Sequence, residues 1–119
     1  MIFYQYGEVA IEAYELIKQG KEPEEAWKES AEKLIDNLNS RKKSCQKQTF
    51  VGLFKADNGK VNLNAEYARQ ALVILDEIPK EELEKIKPRE FWETKMKNVP
   101  KSYNSQLDVV FALRSKGYI

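Results

Sequence analysis

Gln46 and Gln106 are the polar residues whose placement most invites a chemical reading. Each falls where the first turn of a helix is expected, with Ser44 and Gln48 beside one and Asn104 and Ser105 beside the other. A glutamine there can cap a helix or bind neighbouring backbone. It can also project from a helix N-terminus toward base edges while lysines engage phosphates. The cations for such a footprint are present: Arg41, Lys42, Lys43, Lys47 and Lys55 around the first glutamine, and Lys101, Arg114 and Lys116 around the second. Asp108 counts against the second.

Catalysis has little to work with. The chain has no histidine, which removes the commonest general base, the commonest metal ligand and the triads that depend on it. Cys45, beside Lys42, Lys43 and Lys47, is the one candidate thiol nucleophile. Its counterpart later in the chain is Ser105, so a small polar helix-start residue is the expectation there. The five glycines are scattered, matching neither a phosphate loop nor an EF-hand. The carboxylates Glu22, Glu24, Glu25, Glu29 and Glu32 read as a solvated helix face. The expectation is a chain that is not an enzyme and takes no cofactor or metal.

The elements that must position these residues show an internal likeness. Tyr6, Ala10, Ile11, Ala13, Tyr14 and Ile17 are matched 61 positions on by Tyr67, Ala71, Leu72, Ile74, Leu75 and Ile78. The two tryptophans occupy similar words, Pro23 to Trp27 and Pro88 to Trp92, and SCQKQTFVGL aligns with NSQLDVVFAL. The spacing predicts two tandem trihelical, helix-turn-helix-like repeats, about 6–61 and 67–119, packed as one all-α domain over 1–119. Halves of roughly 60 residues are too small for separate cores. Each copy ends on a glycine followed by a branched aliphatic, so a short pairing of the extended ends at Val61 and Ile119 is a further expectation.

Helical periodicity places a first helix over about 6–19, ended by Gly20, and a second from Pro23 to about Leu38. A third begins near Ser44, whose hydroxyl is a candidate cap. A hairpin through GLFKADNGKVNL, turning at Asp57-Asn58-Gly59, is the rival to helix there. A fourth runs from about Asn64 to Ile78, a charged turn or short helix covers 80–87, a fifth runs from Pro88 to about Asn98, and a sixth starts near Tyr103. Trp27 and Trp92 lie on apolar stripes and read as core anchors.

Net charge is +1, but it alternates along the chain. Residues 1–38 hold four lysines against nine acids, and residues 39–60 hold six basic residues against one acid. The second half repeats this with five against eight over 61–94 and five against one over 95–119. Acidic helices can neutralise basic neighbours within a fold, or the basic stretches can face a partner. No apolar run approaches the roughly 18 residues of a membrane span. The start lacks a basic leader and the single cysteine forms no internal disulfide, so no membrane and a cytoplasmic setting are expected.

The segments Cys45-x4-Phe50-x-Gly52-Leu53 and Asn104-Ser105-Gln106-x-Asp108-Val109-Val110 resemble those of a family of small, functionally uncharacterised bacterial and phage proteins of similar length. The resemblance implies the same order of elements over most of the chain, and it supplies neither a mechanism nor a site. From the residues, non-enzymatic binding is the expected function. Nucleic acid is the first candidate partner and an acidic protein surface, met by a regulator or inhibitor, the alternative. One continuous basic stripe would favour the former; separated patches would favour the latter.

Overall fold

The computed structural model describes residues 1–55, 61–96 and 98–119, and within them the chain forms eight helical segments and no strand. In order these are α1 (Gln5–Lys18), α2 (Pro23–Leu34), α3 (Leu38–Arg41), α4 (Ser44–Phe54), α5 (Leu63–Leu75), α6 (Lys80–Lys85), α7 (Pro88–Lys95) and α8 (Gln106–Ser115). None is long and apolar enough to cross a membrane. The turn expected at Asp57-Asn58-Gly59 lies outside the described residues, but Gly52 to Phe54 are helical and form no hairpin arm.

Local chemistry explains most boundaries. Gly20 adopts a φ of 101° just past α1, and prolines open α2 and α7. α2 stops before Leu38 because Ile35 turns extended and carries its side chain into the core, where it is 1% exposed. Asn37 then caps α3, its Oδ1 accepting from the amides of Asn39 at 2.9 Å and Ser40 at 3.1 Å. Ser44 is the first residue of α4 and not its cap; Lys43 holds the cap position, and no side chain caps the helix. The 80–87 segment is helical over α6. α8 starts at Gln106, later than expected, because Ser105 sits in the left-handed region at φ 63°.

α8 is the centre of the molecule: every residue from Gln106 to Leu113 is buried. Its Leu107, Val110 and Phe111 join Tyr67, Leu75, Phe91 and Trp92 in one core, while Val109 and Leu113 join Val9, Trp27, Ile35 and Phe50 in another. One buried helix thus unites both cores in a single globule, whose 13.6 Å radius of gyration is that of a compact domain of this length. Both tryptophans are core anchors, at 2% and 5% exposure.

Two close helix approaches depend on glycine. A Cβ on Gly7 would lie 2.9 Å from Ala112 Cβ and from the carbonyl oxygen of Asp108, so α1 can meet α8 only there. A Cβ on Gly52 would overlap Ala65 Cβ and the Asn62 amide, which fixes the approach of α4 to α5.

α1 packs on α8 and α5 on α4, so the first long helix of each half lies against the last helix of the other. α1 also lies along α2, whereas α5 instead packs on α8. The halves are not packed alike, and the packing does not establish trihelical repeats over 6–61 and 67–119. The expected pairing at Val61 and Ile119 is not formed: Val61 is 80% exposed, and Ile119 packs against the apolar cores.

Candidate functional site

Both glutamines point inward. Gln46 is 2% exposed and Gln106 fully buried. Gln46 Nε2 donates to the carbonyl of Asn104 at 2.6 Å, and Gln106 Oε1 accepts from the Asn104 amide at 2.6 Å. Gln106 Nε2 donates to Asn64 Oδ1 at 3.2 Å, and Asn64 Nδ2 donates to Gln48 Oε1 at 2.7 Å. The chain of amides ties α4, α5 and the turn into α8 together. Of the two readings of Gln46 and Gln106, these contacts match the binding of neighbouring backbone and not base reading, since both side chains are buried and directed at the Asn104 main chain. A groove-entering role for α8 falls for the same reason of burial, whereas α4 packs on α2, α5 and α8 through Gln46, Thr49, Phe50 and Gly52 and leaves its other residues at least partly exposed.

The first cationic stretch does form a face. α3 is held in place by its Asn37 cap, by Tyr6, whose hydroxyl donates to the Ser40 carbonyl at 3.2 Å, and by Arg41, whose Nε donates to the Ile35 carbonyl. Between α2, α3 and the start of α4 lies a cavity of about 320 Å³ floored by Trp27 and Ala31. Lys28, Arg41, Lys42 and Lys47 stand around it, with Leu38 at its lip and Glu32 as its only lining carboxylate. Leu38 is 62% exposed. A neighbouring cavity, also about 320 Å³, is lined by Lys42, Lys43, Ser44, Cys45, Gln46 and Asn104, so Lys42 is common to both. Gln46 Oε1 is buried there without a hydrogen-bond partner among the described residues.

Ion pairing separates the cations. Among the described residues Lys28, Arg41, Lys42, Lys43 and Lys47 form no ion pair. Lys55 is instead bound to Glu24 at 3.0 Å. That hydrogen bond, more than the charge of nearby Lys47, holds the Glu24 carboxyl below its ordinary range.

The second expected footprint is not assembled. Arg114 is paired with Asp76. Lys116 follows the last turn of α8, about 15 Å along the helix from Gln106 at about 1.5 Å per residue. Lys101 lies in the segment before α8, where its carbonyl accepts from Trp92 Nε1 at 3.1 Å. The structure thus brings Arg41, Lys42, Lys43, Ser44 and Lys47 together with Asn104, and leaves Arg114 and Lys116 at the other end of α8.

Sequence reasoning overlooked Lys28 and Leu38 as members of the basic face. Lys28 belongs to a helix whose other exposed residues are mostly acidic, and Leu38 was counted on an apolar stripe that ends at Ile35. The signal that could have found Leu38 is Asn37, a residue suited to cap a new helix start, which separates Leu38 from the stripe of α2.

Among the described residues no three or more carboxylates or thiols stand together as a metal-ligating group. No curated protein and no solved structure matches the chain. A family model matches residues 3–119, nearly the whole chain. The chain accordingly belongs to a family of unknown function (DUF6979).

Proposed function

We propose that this chain is a non-enzymatic binding module that presents the face around α3 and the start of α4 to an acidic surface on a partner protein in the cytoplasm. The observation that carries this reading is the set of cations Lys28, Arg41, Lys42 and Lys47, which form no ion pair among the described residues, around an apolar floor of Trp27 and Ala31, with Lys43 on the neighbouring cavity and Leu38 exposed at the edge. Complementary charge speeds encounter and selects partners, while an apolar centre supplies the part of binding that survives salt. Two features favour protein over nucleic acid. Arg114 and Lys116 stand at the far end of α8 from Asn104, which lines the Lys42 and Lys43 cavity, and the two glutamines Gln46 and Gln106 are internal.

The second reading, nucleic-acid binding, uses the same cations on phosphates, and the uncapped start of α4 beside Lys42 and Lys43 favours it. In that form it would be backbone contact without sequence readout. Titration of the intact chain against duplex and single strands at low salt separates the two. The protein-partner reading expects weak binding, indifferent to sequence, that fades steeply with salt, by about 0.9 in log–log slope per phosphate contact on duplex. Tight binding to duplex or single strands that persists at physiological salt would overturn it.

A further inference from the structure

A separate cavity of about 380 Å³ lies between the start of α1, the start of α7 and the turn into α8, and shares no residue with the basic face. Tyr4, Tyr6 and Tyr103 supply aromatic wall, and Asp108, Lys87 and Arg89 line the cavity together with the neutral Gln5 and Ser105. Asp108 is only 4% exposed. The Tyr103 hydroxyl donates to its Oδ1 at 2.6 Å, and Oδ2 has no hydrogen-bond partner among the described residues. That oxygen is not sealed from solvent, and a ligand ammonium in the cavity would take the place of water there.

The cations around it are available. The Arg89 guanidinium stands 5.2 Å from the centre of the Tyr103 ring, and its nearest carboxylate, Glu93, is 3.9 Å away with both side chains more than half exposed. Lys87 forms no ion pair among the described residues. A simple cation would be repelled by Lys87 and Arg89, and a simple anion by Asp108. A ligand bearing both charges on a short frame satisfies all three, and the rings accept an apolar body. The volume falls at the small end of the roughly 300–1,000 Å³ typical of small-molecule sites, which is ample for one amino acid.

We propose that this cavity binds a free α-amino acid, with its ammonium on Asp108, its carboxylate on Lys87 and Arg89, and its side chain against the tyrosine rings. Burial pushes the Asp108 carboxyl above its ordinary range, with the Tyr103 hydroxyl and Arg89 pulling it back. A bound ammonium would draw it down further.

The test is thermal denaturation of the full chain with each standard L-amino acid at about 10 mM, against a matched salt control, because a ligand of the folded state raises Tm by an amount that grows with the logarithm of its concentration relative to Kd. Amino acids with apolar or aromatic side chains raise Tm. For the best of them, calorimetric titration shows binding about tenfold or more weaker once the amino group or the carboxylate is removed, a loss of one favourable ion pair in a site shielded from water. Asp108→Asn abolishes the preference for the amino acid over its deaminated counterpart. Because that side chain is buried, Lys87→Ala at an exposed position provides the second variant, and it weakens the amino acid while leaving the decarboxylated amine unchanged. The proposal is overturned if no amino acid raises Tm beyond the salt control, if the deaminated acid binds as well as its parent, or if Lys87→Ala weakens amine and amino acid alike.

Discussion

Gln106 Nε2 lies 3.2 Å from Asn64 Oδ1, two buried side chains that fasten the central helix α8 to α5. Each partner continues the chain, Gln106 through the Asn104 amide and Asn64 through Gln48. Gln106→Ala and Asn64→Ala are each expected to cost about 1–3 kcal/mol, since either leaves a buried carboxamide without its partner. The double variant should cost clearly less than the sum of the two. Urea melts of the four proteins measure this, and strictly additive losses would show that the pair is not coupled.

Gly52→Ala is expected to destabilise by about 1–3 kcal/mol, despite alanine's better helix propensity, because the added methyl meets Ala65 and the Asn62 amide across the α4–α5 contact. A variant as stable as the parent in the same melts would mean that the helices part without cost.

Trp27→Ala and Trp92→Ala should each lose about 3–5 kcal/mol. The two rings sit in different cores, Trp27 against Phe50 and Trp92 against Tyr67 and Tyr103, so their losses should be close to additive. Near-zero changes in denaturant midpoint would place the rings at the surface.

The folded-state carboxyl of Asp108 is raised by burial, against the pull of Tyr103 and Arg89. A raised carboxyl favours the folded state only while protonated, so its contribution is greatest below the ordinary aspartate value of about 3.9 and is lost as pH rises through the folded value. The stability of the parent relative to Asp108→Asn should therefore fall as pH rises through the mildly acidic range. Paired melts across that range check the sign, and a relative stability that climbs with pH would contradict it.

The helical class and most helix positions were legible because apolar residues recur at helical spacing and Gly20, Pro23 and Pro88 punctuate them. Where the reading slipped, tertiary packing overrode local pattern. Ile35 leaves the helix to fill the core, and Ser105 takes a left-handed turn that periodicity cannot register. Sequence left two readings of the glutamines open, because a polar residue at a helix start looks alike whether it faces solvent or binds backbone and a partner 42 residues away, as Gln106 does with Asn104 and Asn64. The cationic stretch at Arg41 to Lys47 was legible as a charge run. That Lys55 and Arg114 would be taken up by Glu24 and Asp76 was not, since those pairings span 31 and 38 residues.

The basic face is the centre of the functional account, and its most direct test is chemical crosslinking capture from nuclease-treated lysate. The intact chain is compared with a variant carrying Arg41→Glu, Lys42→Glu and Lys43→Glu whose fold is checked by circular dichroism. The account predicts an acidic protein crosslinked to the intact chain at residues around α3 and the start of α4, unaffected by nuclease and lost with the variant. A captured partner that disappears on nuclease treatment, or one retained equally by the charge-reversed variant, would contradict it.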